Sequence, residues 1–69
     1  MRISARNQIP GTVATIVKGA TTAHVGVRIS GGQVITASIT NQAVEDLNLT
    51  VGQAAVVVIK ASDVMVGVD

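Results

Sequence analysis

Residues 23–39 read AHVGVRISGGQVITASI, and this stretch decides the fold of the chain. From Ala23 to Ile29, apolar side chains alternate with small or polar ones, which is the period of two of a strand with one buried face. Val34 to Ile39 predicts a second strand with the same alternation. Gly31-Gly32 lies between the two runs and predicts a hairpin turn, because glycine readily adopts a positive φ.

The flanking sequence extends this hairpin into a small barrel. Thr12 to Lys18 predicts a β-branched strand, Ala54 to Lys60 a nearly continuous apolar strand, and Val64 to Val68 a short final strand. A short helix is predicted at residues 42–47, between the third and fourth strands, with Thr40 or Asn41 as its cap and Asn48 at its end. This order is the layout of an OB-like barrel, so we predict an all-β fold of five strands in one domain, residues 1–69.

The chain is short for its apolar content. At 69 residues, of which 48% are apolar, such a domain buries only about 60% of the surface that its unfolded chain exposes. Neither disulfides nor large buried aromatic side chains can stabilise the fold, since the chain has no Cys, Phe, Tyr or Trp. Contact with further copies is the natural way to cover the remaining apolar surface, so we predict a homo-oligomer.

The composition also disfavours several classes of function. A net charge of +1 does not fit a strongly basic nucleic-acid binder. A single His without Cys cannot form a metal site by itself. We recognise no signal peptide and no apolar run of about 20 residues, so we predict a cytoplasmic protein without a membrane partner.

Two polar clusters near the ends of the chain are the best candidates for a functional site. Ser4-Ala5-Arg6-Asn7 and Lys60-Ala61-Ser62 each combine a cation with a hydroxyl, and both groups suit the oxygens of an anion. Either cluster alone is more typical of a solvated segment. A small barrel brings distant strand ends together, however, above all across a subunit interface, so the pair is a better candidate for an anion site than either cluster alone.

Weaker candidates lie in the middle of the chain. The N–H groups near Thr40, at the start of the predicted helix, suit an anion, although an ordinary helix cap is the more typical explanation. The turn from Gly19 to Thr22 offers amides and hydroxyls, and His24 on a polar strand face is typical of a surface or interface residue. Glu45 and Asp46 are adjacent on the helix and point in different directions, so paired-carboxylate catalysis is not indicated. With no recognisable nucleophile and base, we predict that the protein is not an enzyme.

Four segments together carry a family resemblance: Ser4-Ala5-Arg6-Asn7, Gly11-Thr12-Val13, Ile39-Thr40 through Leu47, and the run from Val58 to Val64. They are similar to the molbindin family of small molybdate-binding proteins, and the similarity covers essentially the whole chain. The resemblance implies an OB-like barrel that assembles as a homohexamer, a trimer of dimers, with the oxyanion held between subunits.

The resemblance also implies binding residues. One subunit would contribute Ser4, Ala5 and Arg6, and the pocket would be completed by Lys60, Ala61, Ser62 and Thr40. Ala43 stands where some relatives have a Ser, so only its backbone amide could serve. Some relatives have a second kind of site near the threefold axis, for which the candidates in this chain are Gly19, Ala20, Thr21, Thr22 and His24.

The predicted function is therefore the storage or homeostasis of molybdate, and of tungstate, without a catalytic cofactor. An OB-type nucleic-acid or transcription-associated module is one alternative, although such folds depend on aromatic stacking platforms that this chain lacks. A structural assembly domain without a ligand is the other. Calorimetry with molybdate distinguishes these functions.

Overall fold

One antiparallel sheet forms the protein, whose computed structural model describes residues 1–69. The strands are β1 (Asn7–Lys18), β2 (Thr22–Ile29), β3 (Val34–Thr40) and β4 (Ala54–Ile59), and helix α1 (Asn41–Asp46) follows β3. They lie in the order β3-β2-β1-β4, and the sheet forms a half-barrel. The predicted all-β fold, with one short helix between the third and fourth strands, is confirmed.

The hairpin between β2 and β3 forms as predicted. Val25 lies opposite Ala37 in its register, and Gly31 and Gly32 have φ values of +94° and +89°. The Ile29 N–H donates to the Gln33 carbonyl at 2.8 Å, which closes the turn. Left-handed backbone at two successive positions is the reason that the turn contains the Gly pair.

Strand β1 is longer than predicted, since it begins at Asn7 rather than at Thr12. Its first half pairs with β4, from Asn7 opposite Ile59 to Thr12 opposite Ala54, and its second half pairs with β2. The first half was not predicted as a strand because it contains Pro10. Proline has no N–H to donate to a neighbouring strand, and it is therefore typical of edge strands rather than of a strand paired on both sides. The register shifts between Val13 and Thr15, where a bulge bends the strand.

The prediction of a fifth strand from Val64 to Val68 is wrong for the single chain. These residues follow a 3-10 turn at Ala61–Asp63 and pair with no strand. Met65, Val66 and Val68 are each at least 90% exposed. Alternating apolar residues favour a strand, but a strand also needs an edge beside it, and the turn leads the segment away from its own sheet.

Helix α1 has a defined cap at each end. Thr40 is the N-cap, because its Oγ1 accepts a hydrogen bond from the Ala43 N–H at 3.0 Å. At the other end Asn48 has φ +51°, and the Leu49 N–H donates to the Val44 carbonyl, which is the pattern of a Schellman motif. Of the two predicted caps, Thr40 and Asn41, it is Thr40 that caps the helix, and the prediction that Asn48 ends the helix is confirmed.

The core of the half-barrel is small. Only six of 69 residues are buried, and the apolar ones are Val13, Ala23, Val25, Val27 and Val44. Many large apolar side chains stay exposed, among them Val17, Leu47, Val51 and the segment after Asp63. This surface favours the predicted homo-oligomer, which stays a prediction. None of the protein's helices is long and apolar enough to span a bilayer.

Candidate functional site

The two terminal clusters meet in one cleft of the single chain. The cleft has a volume of about 720 Å³ and lies at the end of the sheet where β1 begins and β4 ends. It is lined by Ser4, Ala5, Arg6, Val58, Lys60, Ala61, Ser62 and Asp63. Six of the residues assigned from sequence to the anion site are therefore brought together.

The pairing of β1 with β4 is what places the clusters side by side. Asn7 is opposite Ile59 in this antiparallel register, so the residues before Asn7 and those after Ile59 leave the sheet at the same end. The Asn7 Nδ2 donates to the Ile59 carbonyl at 3.2 Å, and the Gln8 Nε2 donates to the Ala5 carbonyl at 2.9 Å. Asn7 thus ties the start of β1 to the end of β4, and Gln8 holds the N-terminal segment to β1.

The donors of the cleft are not used within the chain. The side chains of Ser4, Arg6, Lys60 and Ser62 make no intrachain hydrogen bond or salt bridge, and all four residues are exposed. The 3-10 turn adds backbone donors, because the first N–H groups of a helical turn have no acceptor within it. Two cations, two hydroxyls and free N–H groups around one cleft suit a small, doubly charged oxyanion.

Sequence reasoning missed two residues of the cleft, Val58 and Asp63. Val58 could have been found, because it lies two positions before Lys60 and the side chains of a strand alternate between faces. Asp63 gave no such signal. Its carboxylate is the only acidic group in the lining, and no group of three His, Asp or Glu residues in the chain could hold a metal ion.

Thr40 and Ala43 do not line this cleft. Thr40 pairs with Thr22 at the end of β3, and the Asn41 N–H donates to the Thr21 carbonyl at 2.9 Å. The helix start is thus beside the turn that follows β1. The Ala43 N–H is already donated to Thr40 Oγ1, so it is not free for an oxyanion while this cap is intact.

A second, smaller cavity of about 150 Å³ lies at this turn. Its lining contains Gly19, Thr22 and His24, which sequence reasoning had named, but neither Ala20 nor Thr21. The other lining residues, Val17 and Lys18, were not named. The Lys18 ammonium lies 3.8 Å from a carboxylate oxygen of Glu45, and both side chains are about half exposed, so this ion pair is weak.

Comparison with known proteins gives concordant matches over the full chain. The TOBE domain matches residues 3–66. A probable molybdenum-pterin-binding protein of Haemophilus influenzae is 48% identical over 69 residues, which cover 100% of both chains.

Solved structures agree with the fold. MopII from Clostridium pasteurianum has a TM-score of 0.92 at 42% identity, covering 97% of this chain and 100% of that one. The cytoplasmic molybdate-binding protein ModG, solved with molybdate bound, has a TM-score of 0.95 at 48% identity, covering 100% of this chain and 49% of that one. The predicted OB-like fold of the molybdate-binding proteins is confirmed.

Proposed function

The chain belongs to the TOBE-domain family, as a member of the molbindin type, and from this we propose that it binds molybdate and tungstate for storage or homeostasis in the cytoplasm. The observation that carries the proposal is the cleft in which Arg6 and Lys60 meet with both hydroxyls, Ser4 and Ser62, unpaired. The two cations match the two negative charges of molybdate. The Haemophilus influenzae relative is named for molybdenum-pterin, and ModG for molybdate.

The exposure of the cleft supports a site shared between subunits. A dianion stripped of water is stable only where donors replace its hydration shell, and the cleft of a single chain leaves one side open. Thr40, which is away from the cleft of its own chain, would then be contributed by a neighbouring copy, in the trimer-of-dimers hexamer that the family resemblance implies. Its hydroxyl proton is free to donate, because only its oxygen is used in the helix cap.

Selectivity would come from the size and the protonation of the ligand. Sulfate is smaller than molybdate and would leave donors out of reach. Protonated phosphate needs an acceptor, which Arg6, Lys60 and the turn amides cannot supply. Asp63 is an acceptor in the lining, so discrimination by size should be the stronger of the two effects.

The proposed role is binding without catalysis and without nucleic acid. The experiment is a calorimetric titration of the full chain with molybdate, tungstate and sulfate, and with a single-stranded oligonucleotide at physiological salt. We expect heat with molybdate and tungstate, much weaker binding of sulfate, and none of the oligonucleotide. Absence of heat and of thermal stabilisation at millimolar molybdate would leave a structural assembly domain as the function.

We further propose that the cavity at Gly19, Thr22 and His24 is a second, weaker oxyanion site. Support comes from the neighbouring Lys18, whose ammonium is held only by an exposed ion pair with Glu45. Native mass spectrometry of the assembly should then count fewer oxyanions for Lys18→Ala than for the wild type. An unchanged count would exclude Lys18 from binding.

A further inference from the structure

One residue of the anion cleft carries a charge of the same sign as the proposed ligand. Asp63 lines the cleft together with Arg6 and Lys60, and it is the only acidic residue there. The residue is exposed, and its carboxylate takes part in no hydrogen bond and no salt bridge of the chain. The carboxylate is therefore not paired with either cation of the cleft.

The backbone holds Asp63 in the lining. Its N–H donates to the Lys60 carbonyl at 2.9 Å, and this hydrogen bond closes the 3-10 turn that follows β4. The Val64 N–H donates to the Ala61 carbonyl at 3.2 Å, so the turn is closed on both sides of Asp63. The turn that brings Lys60 and Ser62 to the cleft thus brings Asp63 there as well.

The carboxylate halves the net charge of the lining. Arg6 and Lys60 contribute two positive charges and Asp63 one negative charge, so the lining carries +1, whereas without Asp63 it would carry +2 and balance molybdate. By Coulomb's law, a carboxylate repels a dianion twice as strongly as it repels a monoanion at the same distance. The repulsion grows as the oxyanion loses water, because charges interact more strongly in a lower dielectric. Asp63 should therefore lower the affinity of the cleft for a dianion.

Stabilisation of the turn is the ordinary role for an acid at this position. A negative charge in the first turn of a helix interacts favourably with the free N–H groups at its start. If this were its only role, a neutral residue at position 63 would loosen the turn and weaken oxyanion binding. Repulsion of the ligand predicts the opposite result, so the two roles are separated by the sign of one change in affinity.

We infer that Asp63 determines the specificity of the cleft, by weakening the binding of fully ionised oxyanions relative to an oxyanion that carries a proton. Monohydrogen phosphate can donate its proton to the carboxylate, whereas molybdate and sulfate offer acceptors only. Asp63 therefore narrows the preference for molybdate over phosphate. It leaves the preference for molybdate over sulfate unchanged, because both are dianions. The inference rests on the proposed function, since it concerns the same cleft.

The first test is a calorimetric titration of the wild type, Asp63→Asn and Asp46→Asn with molybdate. We expect Asp63→Asn to bind roughly 10-fold more tightly at low ionic strength, and the gain to shrink at high salt, which screens exposed charges. Asp46→Asn is the matched control, because Asp46 is outside the cleft and Asn keeps the oxygen that accepts from Gln42 Nε2. Equal or weaker binding by Asp63→Asn, or a gain that salt does not reduce, would overturn the inference.

The second test is competition against bound molybdate by phosphate and by sulfate, in the wild type and in Asp63→Ala. This variant lacks both the charge and the acceptor, so the ratio of molybdate to phosphate affinity should rise by roughly 10-fold, with the ratio of molybdate to sulfate affinity unchanged. A gain for phosphate equal to the gain for molybdate would exclude the specificity role. Absence of molybdate binding in the wild type and in all variants would instead contradict the proposed function, and the inference would fall with it.

Discussion

Gly11 and Gly26 are the positions where the sheet leaves no room for a side chain. A Cβ at Gly26 would lie 2.5 Å from Thr15 Oγ1, and one at Gly11 would lie 2.6 Å from the Arg28 carbonyl oxygen. Real Cβ atoms do not approach other atoms this closely, so packing against backbone requires glycine at position 11, whereas a Cβ at position 26 would require the Thr15 side chain to rotate.

Gly11→Ala should therefore lower the free energy of unfolding by about 1–3 kcal/mol, the usual cost of overpacking. The obstacle at Gly11 is backbone, which cannot rotate away as the Thr15 hydroxyl can at Gly26, so Gly11→Ala should cost more than Gly26→Ala. Urea titration measures the difference. Gly67→Ala is the matched control, because a Cβ there meets nothing. Equal midpoints for Gly11→Ala and Gly67→Ala would contradict the packing described.

Asn7 is proposed to support the cleft rather than to bind the oxyanion. Loss of its hydrogen bond to Ile59 in Asn7→Ala should cost about 1 kcal/mol of stability. The N-terminal segment would loosen, so molybdate affinity should fall by a factor smaller than that for Arg6→Ala. Calorimetry of both variants decides the role, because an equal loss of affinity would make Asn7 a ligand.

Most candidate site residues could be named from sequence because their chemistry is concentrated. Arg6 and Lys60 are two of only five basic residues, and each has a hydroxyl nearby. The sequence did not predict that Asn7 lies opposite Ile59 in the sheet, and this register brings the two clusters together on one chain. Lys18 was missed because a charged residue at a strand end is usually only solvated.

Helix α1 depends on its caps, since its six residues are too few to form a stable helix alone. Thr40→Ala removes the acceptor of the Ala43 N–H and should lower the free energy of unfolding by about 1 kcal/mol. Thr40→Ser keeps the oxygen and should restore most of this loss. Chemical denaturation of the pair measures the cap, and a Ser variant as unstable as the Ala variant would exclude the capping role.

The elements that sequence predicted well are those whose signals are local. The hairpin at Gly31-Gly32 and the end of α1 at Asn48 follow from backbone conformations that few residues adopt. The two errors concern pairing. The start of β1 was missed because it contains Pro10. Residues 64–68 have the alternating pattern of a strand, but they pair with no strand of their own chain. Whether a neighbour completes a strand cannot be deduced from alternation alone.

The whole protomer exposes more apolar surface than a small monomer should, and the proposed anion sites lie between copies. Ligand binding and assembly should therefore be linked. Molybdate at 100 times its Kd should stabilise the assembly by about 2.7 kcal/mol for each site that it fills, and the Tm should rise by on the order of 10 °C for a domain of this size. Scanning calorimetry at two protein concentrations measures both effects. A Tm independent of molybdate and of protein concentration would contradict the linkage.

The central claim is that Arg6 and Lys60 hold one molybdate in the cleft where the two ends of the chain meet. It is tested most directly by calorimetric titration of Arg6→Ala, Lys60→Ala and Arg28→Ala with molybdate. Arg28 is an exposed cation outside the cleft, so it controls for the loss of charge alone. Each cleft variant should lose affinity by roughly 10- to 100-fold, as expected for a charged hydrogen bond, while Arg28→Ala binds like the wild type. Wild-type affinity in both cleft variants would place the site elsewhere.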